Sequence, residues 1–131
     1  MLVKLDFKSS VPLYQQLKTG IVAGILSGEI TEGDRLPSTR QLGRDLGINL
    51  HTVNKVYGIL ADQGYIHLSR NAGAVVNAAP ALDKDGMQEF ENVLLPLVIE
   101  LRARDMSKDQ YDQMMNQLWE SSITATQTTT S

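Results

Sequence analysis

The sequence predicts a mainly α-helical fold with one small β-hairpin, and three observations support that fold class. Apolar residues recur at spacings of three and four along most of the chain, as they do on one face of an α-helix. Around residues 65–76 the pattern changes to two short stretches on either side of a glycine-containing turn, which is typical of paired strands. Proline, glycine and asparagine residues stand where the helical stretches begin or stop. Three helices are therefore predicted before the hairpin and two after it.

The composition excludes several classes of function. The 131 residues include no cysteine and only two histidines, which excludes a disulfide framework, a thiolate zinc site and a cysteine nucleophile. No P-loop, nucleophile motif or metal-ligand spacing indicates an enzyme. No apolar run approaches the roughly 18 residues that a membrane span needs. We expect a cytoplasmic protein with no metal, no cofactor and no membrane segment.

The charge is divided unequally along the chain. The formal net charge is −3, which taken alone argues mildly against nucleic acid as a partner. Residues 1–80 carry eight basic and six acidic side chains, hence +2, whereas residues 81–131 carry four and nine, hence −5. The basic excess therefore belongs to the N-terminal part of the chain and the acidic excess to the C-terminal part.

The first helix is predicted from about Pro12 to Ser27. Proline suits the first turn of a helix, because its missing N–H has no helical partner there. Gly28 is expected to end the helix as a C-terminal cap, and residues 32–34 to form a turn. The apolar positions at helical spacing are Leu13, Leu17, Ile21, Ile25 and Leu26.

Two further helices are predicted on either side of a short turn. Ser38 is the expected N-cap of the second helix, and Gly47 ends it in the left-handed conformation that glycine favours. Asn49 is the expected N-cap of the third helix, which runs roughly over residues 50–63 with a polar, weakly basic face opposite its apolar stripe. Two helices joined in this way form a helix-turn-helix. The apolar stripe of the third helix consists of Val53, Val56, Tyr57 and Leu60.

A β-hairpin is predicted directly after the third helix. Residues 65–69 alternate apolar and polar side chains, and residues 74–76 form a second short strand. Asn71 is expected to shape the turn between them, because asparagine tolerates a positive φ angle better than most residues. The hairpin is a wing beside the helix-turn-helix. Residues 1–77 are therefore predicted to form a winged helix-turn-helix domain.

Five separated motifs stand in the N-terminal part: Pro12-Leu13-Tyr14-x-Gln16, Gly33-Asp34-x-Leu36-Pro37-Ser38-x-Arg40-x-Leu42, Leu46-Gly47-Ile48-Asn49, Thr52-Val53 and Gly64-Tyr65-Ile66. In order and spacing they resemble the DNA-binding domain of the GntR family of bacterial transcription regulators. The short remainder of the chain resembles the YtrA subfamily, whose helical C-terminal part mainly dimerises the protein. The resemblance implies a repressor of an operon. Members of that subfamily are often linked to operons for ABC-type transporters.

The resemblance also implies double-stranded DNA as the partner, and side-chain chemistry extends the set of contacts. Arg40 matches an arginine that meets DNA, the start of the third helix matches the stretch that enters the major groove, and the turn of the hairpin matches the wing. Arginine forks pair well with phosphate oxygens, although Arg44 also has Asp45 and Asp62 as alternative partners. Lys55 suits either a guanine or a phosphate, and Asn54 an adenine. The predicted DNA-binding residues are Arg35, Ser38, Arg40, Arg44, Asn49, Leu50, His51, Thr52, Asn54, Lys55, Arg70 and Gly73.

The C-terminal part is predicted to form a dimer. Residues 78–83 are a linker, residues 84–122 a helical dimerisation region and residues 123–131 a disordered tail. Two helices joined at residues 105–107 form an antiparallel hairpin, the second opened by a capping box from Ser107 to Gln110. Pro96 predicts a kink in a first helix that continues past it. Apolar residues at heptad spacing form the seam of a homodimer. The predicted dimerisation residues are Met87, Phe90, Leu94, Leu97, Leu101, Met115, Leu118 and Trp119.

Two alternatives stay open at the level of sequence. The winged helix fold also occurs in protein–protein interaction modules that have no affinity for DNA. The methionine and aromatic side chains of the C-terminal helices also suit a small-molecule effector pocket, although no residue pattern supports one and a plain dimer core is the favoured interpretation.

Overall fold

The structure is a computed structural model that describes residues 3–128, with the side chains of residues 3–122. Within that range the predicted fold class is confirmed. The chain separates into two compact units, of which the first continues as far as Pro80 and the second comprises Ala81–Ser121. The elements in chain order are α1 (Leu13–Ser27), α2 (Thr39–Leu46), α3 (Leu50–Asp62), β1 (Ile66–Ser69), β2 (Gly73–Val76), α4 (Lys84–Ala103) and α5 (Lys108–Thr128).

The core of the first unit is built around α3. Val53, Val56 and Leu60 on the inner face of this helix have no exposed surface, as the apolar stripe predicts. Burying each such side chain contributes roughly 1.5–3 kcal/mol, so this stripe supplies much of the driving force for the fold. The side chains from the rest of the unit that complete the core are Leu17, Ile21, Ile30, Leu36, Leu42, Ile66, Ala74 and Val76.

Local capping contacts fix four of the six ends of the three helices in this unit. Gly28 and Gly47 follow α1 and α2 with φ angles of 82° and 70°, a conformation that glycine adopts without a Cβ clash. The Ser38 hydroxyl accepts a hydrogen bond of 3.1 Å from the backbone N–H three residues on. The Asn49 side chain accepts one of 2.8 Å from the N–H two residues on. All four predicted caps are confirmed.

The hairpin forms as predicted, but a different residue shapes its turn. β1 and β2 pair antiparallel, with Ile66 opposite Val76. Gly73 takes a positive φ of 71°, whereas the only non-glycine residue with a positive φ in the described part of the chain is Asp105. The role expected for Asn71 was therefore wrong, because the glycine two positions later adopts the left-handed conformation at lower steric cost.

A third extended segment joins the hairpin, which the sequence pattern did not indicate. The backbone N–H groups of Gly33 and Leu36 donate to carbonyls of β2 at 2.8 and 2.9 Å. Arg35, which lies between them, bridges to Val75. Residues 32–34, which the sequence predicts only as a turn, therefore help to anchor the wing to the segment that leads into α2.

The second unit contains α4 and the larger part of α5. α4 continues through Pro96, as predicted. Its N-cap is Asp83, whose carboxylate accepts from the backbone N–H of Gly86 at 2.7 Å. The capping box of α5 is confirmed, because Ser107 and Gln110 exchange two hydrogen bonds of 3.1 and 2.9 Å.

The backbone of α5 extends beyond the start of the predicted tail. The helix reaches Thr128, whereas the tail was predicted to begin at residue 123. No glycine or proline lies between residues 108 and 128 to stop the helix, which gives a physical reason for the longer extent. Residues 129–131 of that predicted tail lie outside the described residues.

The turn between α4 and α5 is fixed by its own backbone. Asp105 has a φ of 63°, and its N–H donates to the Arg102 carbonyl at 3.0 Å. The N–H of Met106 donates to the Leu101 carbonyl at 3.1 Å. These two bonds are the Schellman pattern of a helix C-terminus, normally completed by glycine at the position that Asp105 occupies.

The apolar stripe of the second unit is largely exposed. No residue of α4 is buried, and Phe90 and Leu97 of the predicted seam keep 59% and 50% of their surface. Side chains near the turn are half-buried, and they are Val98, Leu101, Met106, Tyr111 and Met114. Of the eight predicted dimerisation residues, only Leu101 packs in this group.

None of the helices within residues 3–128 has the length and apolar character of a membrane span.

Replacing Asp105 with glycine is expected to stabilise the protein. Glycine adopts the left-handed conformation without the steric cost that a side chain brings, and we expect a gain of roughly 0.5 kcal/mol in the free energy of unfolding. Urea denaturation followed by circular dichroism measures the change. Asp109→Gly, inside the first turn of α5, is the matched control and is expected to lose about 1 kcal/mol. A destabilised Asp105→Gly protein would contradict this account of the turn.

Candidate nucleic-acid interface

The outer face of α3 is polar and open to solvent. His51, Asn54 and Lys55 are exposed on the side opposite the buried stripe. Gly58 lies on the same side, and a Cβ placed on it would meet nothing within 4 Å. Thirteen residues of α-helix extend about 20 Å, so this face offers a long, unobstructed row of polar groups.

A second group of predicted residues lies beside the start of α3. Arg40, Arg44 and Leu50 line an open cavity of about 420 Å³ with Gly43, Gly47 and Ile48. Within the described residues the only ion pair is Lys108–Asp112, so Arg44 pairs with neither of the aspartates named as alternatives. The Asp45 carboxylate instead accepts from Gln41. Both arginines are therefore exposed cations without a carboxylate partner in the part of the chain that the structure describes.

The close approach of α2 to the turn depends on a buried glycine. A Cβ on Gly43 would stand 3.0 Å from the backbone carbonyl oxygen of Ile48, a contact that the backbone cannot easily relieve. The absence of a side chain at this position lets α2 pack against the turn that leads into α3. That packing sets the arginine-lined cavity next to the outer face of α3.

Two of the predicted contact residues already have structural roles as caps. The hydroxyl of Ser38 is engaged at the start of α2, and the side-chain oxygen of Asn49 at the start of α3. Thr52 lies in the first turn of α3, with its backbone N–H bonded to the Asn49 carbonyl at 3.0 Å. A cap residue is exposed at a helix N-terminus, where free N–H groups also attract anions.

The remaining predicted residues belong to the wing and its anchor. Arg70 and Gly73 lie at the turn of the hairpin, and a Cβ on Gly73 would meet nothing within 4 Å. Arg35 is exposed on the segment that pairs with β2. The structure therefore groups the α2 and α3 residues together and presents the wing residues from a separate element.

The sequence reasoning missed the role of Tyr57 at the junction of α2 and α3. Its hydroxyl donates to the Pro37 carbonyl at 2.6 Å and so ties α3 to the residue before the α2 cap. Burial raises the pKa of the Tyr57 hydroxyl far above its ordinary value, because the tyrosinate would lose its hydration. A tyrosine within an apolar stripe was itself the available signal, since a buried hydroxyl needs a partner.

Tyr14 of α1 is the other residue that the sequence reasoning left out of the site. The ammonium of Lys55 lies 3.8 Å from the centroid of the Tyr14 ring, which is a cation–π contact. Tyr14 also packs against the core of the first unit. The two residues are 41 positions apart, so no local pattern in the sequence indicates the pair.

A polar helix held outward on a three-helix core, beside a β-hairpin and unpaired arginines, defines the winged helix-turn-helix class of DNA-binding domains. The family described as "Bacterial regulatory proteins, gntR family" matches residues 13–76. The HTH-type transcriptional repressor YtrA of Bacillus subtilis (strain 168) is 32% identical over 101 residues, which are 76% of this chain and 78% of that protein. The chain belongs to the GntR family and is a YtrA-like, DNA-binding transcription regulator.

Further comparisons agree with this assignment and define its extent. The probable rhizopine catabolism regulatory protein MocR of Rhizobium meliloti is 38% identical over 76 residues, but the chain spans only 15% of that protein. YtrA from Sulfolobus acidocaldarius, a GntR-family transcription factor, superposes with a TM-score of 0.54 at 33% identity, over 91% of this chain and 97% of that one. The AraR DNA-binding domain in complex with operator ORX1 superposes with a TM-score of 0.52 at 26% identity, over 58% of this chain and 98% of that one.

Replacing Tyr57 with phenylalanine is expected to destabilise the first unit by about 1–2 kcal/mol near neutral pH, since a part-buried hydrogen bond is lost and the Pro37 carbonyl is left without it. The penalty should shrink with rising pH. The folded pKa of Tyr57 is raised, so the unfolded state gains a tyrosinate above a pH of about 10 that the folded state does not. The stabilising contribution of the hydroxyl is therefore fully present below that pH and is lost progressively as the pH rises from there through the raised folded pKa.

Urea denaturation at pH 7, 9 and 11 measures the difference between the parent and Tyr57→Phe. Tyr65→Phe is the matched control, because the Tyr65 hydroxyl has no hydrogen-bond partner among the described residues. Equal stability of parent and Tyr57→Phe at pH 7 would contradict the role given to this hydroxyl.

Proposed function

We propose that the protein is a dimeric, sequence-specific repressor that binds a near-palindromic operator in the cytoplasm. The observation that carries the proposal is the exposed polar face of α3, with unpaired arginines next to its start. A recognition helix of a helix-turn-helix enters the major groove, and a symmetric dimer places two of them about one helical turn apart. The resemblance to the YtrA subfamily supports an operon for an ABC-type transporter as the regulated target.

Base edges are read by the outer face of α3. The amide of Asn54 suits adenine, which presents a matching donor and acceptor in the major groove. His51, one turn earlier, adds a second polar group to the same row. The side chains of both residues are exposed, so the row itself is free to meet DNA.

Phosphates are met by the arginines that flank this row. Arg40 and Arg44 pair with phosphate oxygens, and Arg70 reaches the neighbouring minor groove from the wing. Gly73 lets the wing backbone approach DNA closely, since no side chain stands in the way. These contacts position the protein and make its binding dependent on salt.

Dimerisation is proposed to occur through α4 and α5, with the apolar stripe of α4 as its largest exposed part. A contiguous apolar patch on an isolated chain marks an interaction surface, and a symmetric partner offers an identical patch. The stripe repeats at heptad spacing, which suits helix-to-helix packing. Seven large apolar side chains of α4 remain exposed: Met87, Phe90, Val93, Leu94, Leu95, Leu97 and Ile99.

A mobility-shift titration with a duplex covering the region upstream of the protein's own gene tests sequence-specific binding. A random duplex of equal length is the control, and both are titrated at several salt concentrations. We expect a tighter shift on the upstream duplex, with an affinity that falls steeply as salt rises. Absence of a specific shift at every salt concentration would refute the proposal. A stable complex with another protein would then favour the interaction-module alternative.

Arg40→Ala is expected to change the overall affinity for DNA, whereas Asn54→Ala is expected to change the base preference. Loss of a phosphate contact weakens binding to both duplexes and lowers the slope of log affinity against log salt by about 1. Loss of a base contact removes about 1–3 kcal/mol of preference at one base pair. Arg104→Ala, which removes the same charge from the second unit, is the matched control. If both variants bind like the parent, the contact assignment is wrong.

Leu94→Asp is expected to convert the protein to a monomer, because a charge would be buried in the apolar seam. Light scattering after size-exclusion chromatography measures the mass in solution. Asn92→Asp is the matched control, since it adds the same charge outside the seam and keeps the oxygen that accepts from Gln88. A Leu94→Asp protein that stays dimeric would show that the interface lies elsewhere.

A further inference from the structure

Lys55 is held on one side of the outer face of α3. On the other side, Leu50 lines the cavity that α2 shares with α3. The side chain of Lys55 instead extends towards α1, where its ammonium lies 3.8 Å from the centroid of the Tyr14 ring. Tyr14 is half-buried at the start of α1 and packs against the core, so the ring is a fixed platform.

The contact leaves the ammonium able to bind an anion. A lysine ammonium has three N–H donors, and an aromatic ring covers only one side of it. Lys55 makes no ion pair within the described residues, and the side chain is exposed. Resting on the ring also restricts a long side chain before any ligand arrives, which lowers the entropy lost on binding.

The position of Lys55 favours phosphate over a base edge. When a helix lies in the major groove, its outermost residues face the bases and its sides face the two phosphate strands. Asn54 and Lys55 flank the line through His51 and Gly58 on the outer face of α3, and the ammonium of Lys55 is turned away from that line towards Tyr14 of α1. The ring of Tyr14 therefore holds the cation at the side of the recognition helix.

We propose that Tyr14 is a positioning residue for DNA binding, whose ring holds Lys55 against a backbone phosphate at the side of α3. This inference rests on the proposed function in one respect, namely that α3 enters the major groove. A phosphate contact carries no sequence information, so Lys55 and Tyr14 contribute to the affinity for every duplex and leave the base preference unchanged.

Tyr14→Leu and Tyr14→Phe separate the ring from the hydroxyl and from apolar volume. Leucine keeps an apolar side chain at the site but removes the π face, whereas phenylalanine keeps the π face and removes only the hydroxyl. We expect Tyr14→Leu to weaken binding by about 2- to 5-fold on the upstream duplex and on a random duplex alike. Tyr14→Phe is expected to keep the parental affinity for both the upstream and the random duplex.

A double-mutant cycle with Lys55→Gln distinguishes positioning from a structural role. Lys55→Gln alone is expected to lower the salt slope by about 0.9. In that background, Tyr14→Leu is expected to cause no further loss of affinity, because the group that it positions is already gone. Lys84→Gln, which removes a lysine charge from the second unit, is the control for net charge. Thermal unfolding of each variant checks that the winged helix stays folded.

Three results would overturn the inference. Equal affinities of Tyr14→Leu and the parent would show that the ring does not matter. A loss with Tyr14→Phe as large as with Tyr14→Leu would show that the hydroxyl itself binds DNA. An undiminished loss in the Lys55→Gln background would assign Tyr14 a purely structural role.

Failure of the proposed function gives a different result. A parent protein that binds the random and upstream duplexes equally would refute sequence-specific repression, yet the cycle on the random duplex would still support or overturn the phosphate contact. A parent protein that binds neither duplex would overturn both.

Discussion

Burial of the inner face of α3 is the constraint on which the rest of the first unit depends. Val53, Val56 and Leu60 lose all contact with water against side chains of α1, α2 and the hairpin. An α-helix has only one rotation about its axis that buries such a stripe, so the opposite face must point outward. The exposed polar row is therefore a consequence of core packing. Tyr57 fixes the orientation of this packing, because its hydroxyl donates a hydrogen bond to the carbonyl of Pro37.

Features that depend on near neighbours in the chain were predictable, and those that depend on distant ones were not. The caps at Ser38, Gly47 and Asn49 follow from one residue and the next turn of helix, and all three form as the sequence indicates. The contact of Tyr14 with Lys55 requires α1 and α3 to be packed first, so it leaves no trace in local periodicity.

The hairpin shows the same division within a few residues. Its two strands were evident from the alternation in residues 65–69 and the short apolar run at residues 74–76, but the choice between Asn71 and Gly73 for the positive φ was not. Both residues tolerate that conformation, and the strand register decides which of them must adopt it. The added pairing of residues 33–36 was missed for a related reason, since a segment this short has no strand pattern of its own. Local signals therefore defined the elements, whereas their partners depended on the fold.

The pairing of residues 33–36 with β2 makes the hairpin and the start of α2 parts of one framework. A hairpin attached only at its own base could tilt freely, but here a tilt would break backbone hydrogen bonds of 2.8 and 2.9 Å. The distance from the wing turn to the outer face of α3 is therefore held nearly constant. In the proposed mode of binding, DNA whose minor groove is too wide or too narrow for that distance would have to deform or lose the wing contact. Groove width and stiffness would then contribute to selectivity at base pairs that the protein never touches.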